Sequence, residues 1–282
     1  MRRLYTRRLR PALLSVIFLA MGGLSCQKPQ VAEKRELLSL RLEHKPVHEH
    51  IGPGGQQIRA KIISSPELEE GEAKIFYRKG RDDFISLPMT LTGQENEYVA
   101  VIPHQPRGTT VRYYIQASSI TGTQVTLPKD ALETGESYEL TFKGRASLAL
   151  LGLHVGGMIG GLLLLLLAGY WASLFLRKGE RLNALAKAAF GGTVFFFLGG
   201  IPLGIAVEYQ VYGTVWTGIP VGTDVTDSKT LILVLYWIGV LLLFKGTLFQ
   251  RGEGKNLVSD RTFAWAVLIG AILTVIAFLI PH

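Results

Sequence analysis

The chain has one cysteine, Cys26, among its 282 residues. No intrachain disulfide can form, so cysteine usage says nothing about redox compartment. The polar first half has no Gly-x-Ser-x-Gly, no His-Glu-x-x-His and no P-loop, which removes the best-marked hydrolase and nucleotide-binding classes there. Charge is missing from the middles of the last three apolar runs of the second half. An ion-coupled pump needs an ionisable group inside the membrane, so that class is disfavoured. Only His154 lies within an apolar run. A haem-bearing bundle wants paired histidines on facing helices, and one does not supply them.

What is present divides the chain in two. Up to about residue 143 the sequence is mixed and polar; beyond 144 it is dominated by long apolar runs. A soluble domain followed by a membrane domain is the expectation. The net charge of +8 is not spread as a nucleic-acid surface would be. Arg2, Arg3, Arg7, Arg8 and Arg10 open the chain, and much of the remaining positive charge flanks apolar segments. That distribution belongs to membrane topology signals and excludes nucleic acid as a partner.

Residues 1–26 read as an export signal. The Arg-rich start precedes "PALLSVIFLAMGGLS", too short for a comfortable membrane span. The "GGLSC" that ends at Cys26 resembles a bacterial lipoprotein signal, and the resemblance implies lipidation of Cys26. Lipidation, ordinary signal cleavage and an uncleaved anchor stay open, and all three send the following domain outward. Residues 27–36 read as a linker.

From 37 to 143 the sequence alternates in period two and breaks at regular turns. "LLSLRLE", "QQIRAKIIS", "AKIFYRK", "DFISLPMT", "EYVAVIP", "TVRYYIQASS", "QVTLP" and "SYELTFK" are strand-like runs. Turn-rich "GPGG", "KGRDD", "TGQEN", "HQPRG" and "ITGT" separate them, and the acidic "ELEEGE" reads as a solvated turn. Short strands about ten residues apart predict an all-β antiparallel sandwich. His44–Pro46, "AKIFYRKGRDDFISLPM", "YVAVIP" and "VRYYIQASSITGT" resemble the fibronectin type III-like or immunoglobulin-like modules of exported bacterial proteins. Such modules hold surfaces apart or bind other proteins, and the fold alone fixes no function.

"EHKPVHEHIG" brings His44, His48 and His50 close in sequence, a pattern that can hold zinc or copper. No cysteine or second histidine pair supports a metal. A polar strand edge, with His44 in a structural position, accounts for the stretch more simply. His104 reads as loop.

Four apolar stretches follow, at about 146–176, 185–207, 231–249 and 263–280, each long enough for a helix to cross a bilayer. They predict an all-α four-helix transmembrane bundle over 146–282. The loops 177–184 and 250–262 are basic, and Lys187 and Lys245 lie near the same ends of their spans. The 208–230 loop carries only Lys229 against Glu208, Asp224 and Asp227. The positive-inside rule places the two basic loops in the cytoplasm. The 208–230 loop then lies outside with the sandwich, the side that the export signal independently requires. The location predicted is a bacterial inner membrane with a periplasmic sandwich.

Gly152, Gly156 and Gly160 in the first span, and Gly200 and Gly204 in the second, recur every four residues, the spacing that lets helices approach closely. They read as packing within the bundle or against a partner helix, and Pro202 is expected to kink the second span. Between spans two and three lies "GTVWTGIPVGTDVTDSKT", long for a connector. Trp216 suits an interface. Asp227 or Ser228 can cap the third span. Asp224, Thr226 and Asp227 can instead offer oxygens to a hard cation, although no established calcium-loop spacing is present. His154 and Glu208 fall near the same membrane face and complete a possible convergent site. The alternative is a capped loop that seals the bundle.

These readings lead to an inner-membrane protein without cofactor, leaning away from an enzyme. It would act as an accessory, assembly or interaction subunit of an envelope complex, with the lipid bilayer and another protein as partners. A small-molecule or ion carrier, and a membrane redox subunit using the His154–Asp224 region, are the alternatives.

Overall fold

Alternation of apolar and polar side chains along extended backbone sends every second residue to the same face, and this builds the first half. The computed structural model describes residues 33–37, 40–64, 72–119, 122–245 and 256–280. Cys26 and the export signal lie outside them. One sheet contains β1 (Glu33–Leu37), β2 (Leu40–His44), β4 (Gln56–Ser64), β7 (Thr90–Leu91) and β8 (Glu97–Ile102), in the order β1-β2-β4-β8-β7. The second contains β3 (Glu49–Ile51), β5 (Ala73–Lys79), β6 (Ile85–Pro88), β9 (Thr110–Ser118) and β11 (Tyr138–Lys143), in the order β3-β11-β9-β5-β6. β10 (Gln124–Leu127) also pairs with β9. All pairs are antiparallel except β3 with β11.

Both sheets turn their apolar rows onto one core. Leu40, Leu42, Ile58 and Ile62 come from the first, and Ile75, Val111, Tyr113, Ile115, Leu140 and Phe142 from the second. Intervening residues such as Arg59 and Lys61 face out. The run "DFISLPMT" divides between the sheets, with β6 in one and β7 in the other. Met89, between them, is buried at the switch. The end of the stretch expected as a linker, residues 33–36, belongs to strand β1, which pairs along its length with β2.

A short helix, α1 (Ala131–Thr134), precedes β11. The remaining helices are α2 (Leu148–Lys178), α3 (Leu182–Leu198), a π-helical turn (Gly199–Leu203), α4 (Gly204–Tyr212), α5 (Val225–Leu243) and α6 (Asp260–Leu279). With α3, the π-turn and α4 forming one continuous segment, four helical stretches among the described residues are long and apolar enough to cross a membrane. At 1.5 Å per residue, the 31-residue Leu182–Tyr212 extends about 46 Å, more than the ~30 Å of hydrocarbon. Pro202 cannot donate a backbone hydrogen bond, and the helix accommodates it with the wider π-turn.

The second span therefore runs past the expected boundary at 207 to Tyr212, and the third starts at Val225 rather than 231. α2 packs against α3 and α6, and α5 packs against α6 and α3. In the bundle core the rings of Phe244 and Phe263 stack at 4.0 Å. Buried Trp237 donates from Nε1 to Thr274 Oγ1 at 3.0 Å, and that hydroxyl donates to the Gly270 carbonyl at 2.8 Å. Each polar atom of this pair is thus satisfied away from water.

The chain forms two compact units. Of the described residues, one comprises those from Glu33 to Ser147 together with Val207–Val215; the other comprises Leu148–Ala206 and those from Trp216 onward.

Candidate functional site

The 213–224 loop is built around two carboxylates. Asp224 is the N-cap of α5, its side chain accepting from the Asp227 N–H at 2.9 Å. The cap expected at Asp227 or Ser228 is thus supplied by Asp224. Asp227 instead reaches across the loop: its Oδ2 accepts from the Thr217 N–H at 2.9 Å and the Thr217 hydroxyl at 3.2 Å. The Asp224 N–H returns a bond to the Thr217 carbonyl at 2.9 Å. Ser228 Oγ accepts from the Ile219 N–H at 3.1 Å and donates to the Asp224 carbonyl at 2.6 Å. Trp216 Nε1 donates to the Ile219 carbonyl at 3.1 Å, so the indole folds back over its own loop. Thr226 lies in the first turn of α5, where its carbonyl accepts from the Thr230 hydroxyl.

The carboxylate oxygens described above are directed at backbone and hydroxyl donors. Among the described residues no group of three or more His, Cys, Asp or Glu side chains can hold a metal ion. The loop leaves apolar surface at its tip instead: Val221 is 77% exposed and Ile219 54%. Gly218 sits beneath the tip, where a Cβ would lie 2.5 Å from that of Asp227.

Trp216, Asp224, Thr226 and Asp227 are thus gathered into the loop and the helix it caps. His154 is engaged elsewhere. Its Nδ1 donates to the Gly199 carbonyl at 2.9 Å, in the π-turn, and its ring lies 3.6 Å from a Cβ built at Gly204. Glu208, in the other compact unit, accepts from the Thr214 hydroxyl at 3.2 Å.

The glycine positions divide in the same way. Gly152 and Gly156 have nothing within 4 Å of an added Cβ, whereas Gly160 packs beneath Phe195 at 3.2 Å. Gly200 meets Thr230 at 2.6 Å. The closest approach of α2 to the second span falls one residue along. A Cβ at Gly161 would stand 2.7 Å from the Phe196 nitrogen, and one at Gly157 would stand 2.8 Å from the Gly199 Cα.

In the sandwich, His44 is 2% exposed. Its Nδ1 lies 2.8 Å from the Arg59 carbonyl and its Nε2 2.9 Å from the Tyr113 hydroxyl. The carbonyl can only accept, so Nδ1 carries the proton and Nε2 accepts from Tyr113. The Tyr113 oxygen in turn accepts from the Val47 N–H at 2.9 Å. Burial pushes the imidazole down to about 4, against the pull of the Arg59 carbonyl and with help from His48. Burial likewise raises the Tyr113 phenol. Both His44 nitrogens are therefore committed to the fold. His48 is exposed, and His50 bonds Gln56 through Nδ1 at 2.8 Å. Tyr113 was not singled out in the sequence, although Val111, Ile115 and Ala117 share its period-two face in β9 and mark that face as the inward one.

A further cluster was not legible in the sequence at all. The Gly144 N–H donates to the Val211 carbonyl at 2.7 Å, and the Ser147 N–H to Gln210 Oε1 at 2.8 Å. Arg107 donates to the Gln210 carbonyl at 3.3 Å, with its guanidinium 4.7 Å above the Tyr209 ring. Gly108 has φ +82°, and a Cβ there would run into the Tyr212 carbonyl oxygen. The last turn of a helix leaves carbonyls without helical partners, and these donors satisfy them. Lys143 Nζ bonds Glu49 at 2.5 Å and lies 5.3 Å from the Tyr212 ring centroid. Burial works against its charge, but Glu49 and Tyr212 outweigh it and hold the ammonium above the usual lysine range.

No family model matches the chain, and no curated protein matches it. Among solved structures, one match is to the "Crystal structure of Br derivative BhCBM56". It has a TM-score of 0.25 and 12% identity, covering 39% of this chain and 98% of that one. A likeness of that size carries no argument.

Proposed function

We propose that this protein is an integral bacterial inner-membrane protein that acts by binding, as an accessory or assembly subunit of an envelope complex. The observation that carries the reading is the 213–224 loop. Its polar groups are tied to one another through Asp224, Asp227, Thr217 and Ser228, while Ile219 and Val221 stand out in solvent. A pre-formed loop of this kind meets a partner without first ordering itself, which lowers the entropic cost of association. The occupant we assign is an apolar patch on another membrane protein of the complex.

In this reading the sandwich is a fibronectin type III-like or immunoglobulin-like module lying in the periplasm. Its two antiparallel-rich sheets and single shared core are in keeping with that type. In this reading the start of the first span and the end of the second lie on one side of the membrane, in keeping with Ser147 and Val207–Val215 belonging to one compact unit. That agrees with the positive-inside assignment of the basic loops to the cytoplasm. The export signal ending at Cys26 supplies the route outward.

The test is a photocrosslinking residue at position 221, introduced into the full chain in native membranes. Position 221 accepts no side-chain hydrogen bond, so the loop keeps its structure. A discrete, near-stoichiometric adduct with one membrane protein, lost when Ile219→Ser is added, is the expected result. Adducts with lipid alone, or none, would overturn the docking role.

A further inference from the structure

The end of the second span carries a cluster that the partner-binding reading leaves unused. Arg107, Lys143 and Arg145 belong to the same compact unit as Tyr209, Gln210 and Tyr212. Tyr212 is the last residue of a stretch long and apolar enough to cross a membrane. The last turn of such a stretch is where tyrosines anchor helices at the level of lipid phosphates.

The arginine is held ready. The Arg107 side chain runs between two glycines, 3.4 Å from a Cβ built at Gly144 and 3.3 Å from one built at Gly213. The Tyr209 ring lies under its guanidinium at 4.7 Å. One of its N–H groups goes to the Gln210 carbonyl, and no carboxylate pairs with it among the described residues. A guanidinium has five N–H donors, so most remain for a ligand, in the fork that matches two phosphate oxygens. Arg145 is exposed, two residues beyond Lys143, and likewise has no carboxylate partner among the described residues. Lys143 is different: Glu49 already neutralises it, so it adds donors more than net charge.

We infer that Arg107 and Arg145, with Tyr209 and Tyr212 beside them, form a binding site for the headgroup phosphate of an anionic glycerophospholipid. In that site the lipid's phosphate takes the Arg107 guanidinium. This goes beyond the proposed partner docking, uses a different part of the chain, and holds whichever side of the membrane the unit occupies. Each cation near an anionic membrane surface strengthens attraction about fivefold.

The test uses the full chain in nanodiscs of phosphatidylcholine with a minor fraction of phosphatidylglycerol, followed by transfer to neutral detergent and native mass spectrometry. Retained phosphatidylglycerol per protein is the readout. Arg145→Gln touches no described contact and keeps the fold, and we expect it to lower retention about fivefold, with Arg107→Gln/Arg145→Gln lowering it about 25-fold. Lys74→Gln, on the outer face of β5, serves as a control for net charge and should leave retention unchanged. Equal retention in wild type and both arginine variants would overturn the site. So would a loss in Lys74→Gln as large as that in Arg145→Gln. Displacement of the lipid by inorganic phosphate, beyond that by chloride at equal ionic strength, would overturn the lipid assignment in favour of free phosphate.

Discussion

Acid should loosen the sandwich through His44, and the size of the effect follows from its burial. The perturbation is pH alone, lowered from 7 to 4 on the full chain in nanodiscs. His44 is 2% exposed, and its imidazole is held down from 6.5 to about 4, chiefly because burial penalises the charged ring. Above pH 6.5 the ring is neutral both folded and unfolded, and the stability it contributes is fully present. Between 6.5 and 4 the unfolded chain takes up a proton that the folded chain refuses. Stability then falls with pH, and the loss is complete only below about 4. A lowering of that size corresponds to about 3 kcal/mol, at about 1.4 kcal/mol per unit.

Hydrogen exchange resolved to peptides of β2, β4 and β9, corrected for the intrinsic pH dependence of exchange, reports the opening free energy. His44→Gln is the reference, because it leaves every other ionisable group of the domain in place. The variant should be less stable at pH 7, having broken the bonds to Arg59 and Tyr113, yet should lose less as pH falls. Parallel pH profiles for the two proteins would refute the assignment of the effect to His44.

Three further outcomes follow from the packing. Gly161→Ala should destabilise the bundle by about 1–3 kcal/mol in thermal unfolding in detergent, because its Cβ would stand 2.7 Å from the Phe196 nitrogen. Gly152→Ala, with open space around it, should have little effect. Asp224→Ala removes the cap of α5 and should cost about 1 kcal/mol, seen as faster hydrogen exchange in the first turn after Val225. Gly108→Ala meets both a positive φ and the Tyr212 carbonyl, so exchange should rise over 207–215 while the core of β9 stays protected.

The parts of this fold readable in advance were those set by local chemistry. The strands of the sandwich announced themselves because each buries alternate residues, as in the Ile58, Ala60, Ile62 row of β4. The spans announced themselves by length and apolarity. Boundaries were harder. Glu208 and Gln210 look like the start of a loop, yet the helix continues through them because Gly144 and Arg107 cap its last carbonyls. Those donors lie more than sixty positions upstream, where no local pattern points to them. The glycines of α2 illustrate a different ambiguity. "GLHVGGMIGG" offers two overlapping four-residue spacings, and only the neighbouring helix decides that Gly157 and Gly161, rather than Gly152 and Gly156, take the close contact. In the loop, Asp224 and Asp227 stood out in the sequence as carboxylates near the start of the third span. Their jobs were not, because the geometry that turns Asp227 toward Thr217 exists only once α5 has started.

One consequence concerns how the molecule is made. Val207–Val215 is a structural part of the unit that otherwise ends at Ser147, and two hydrophobic crossings are encoded between them. During synthesis the β-domain leaves the ribosome first, with Gly108, Gly144 and Arg107 still lacking the helix end they hold. At about 5–20 residues per second, the missing piece arrives several seconds later. Completion of that domain thus waits on insertion of the second span. A chain whose second crossing stalls would carry an unfinished β-domain.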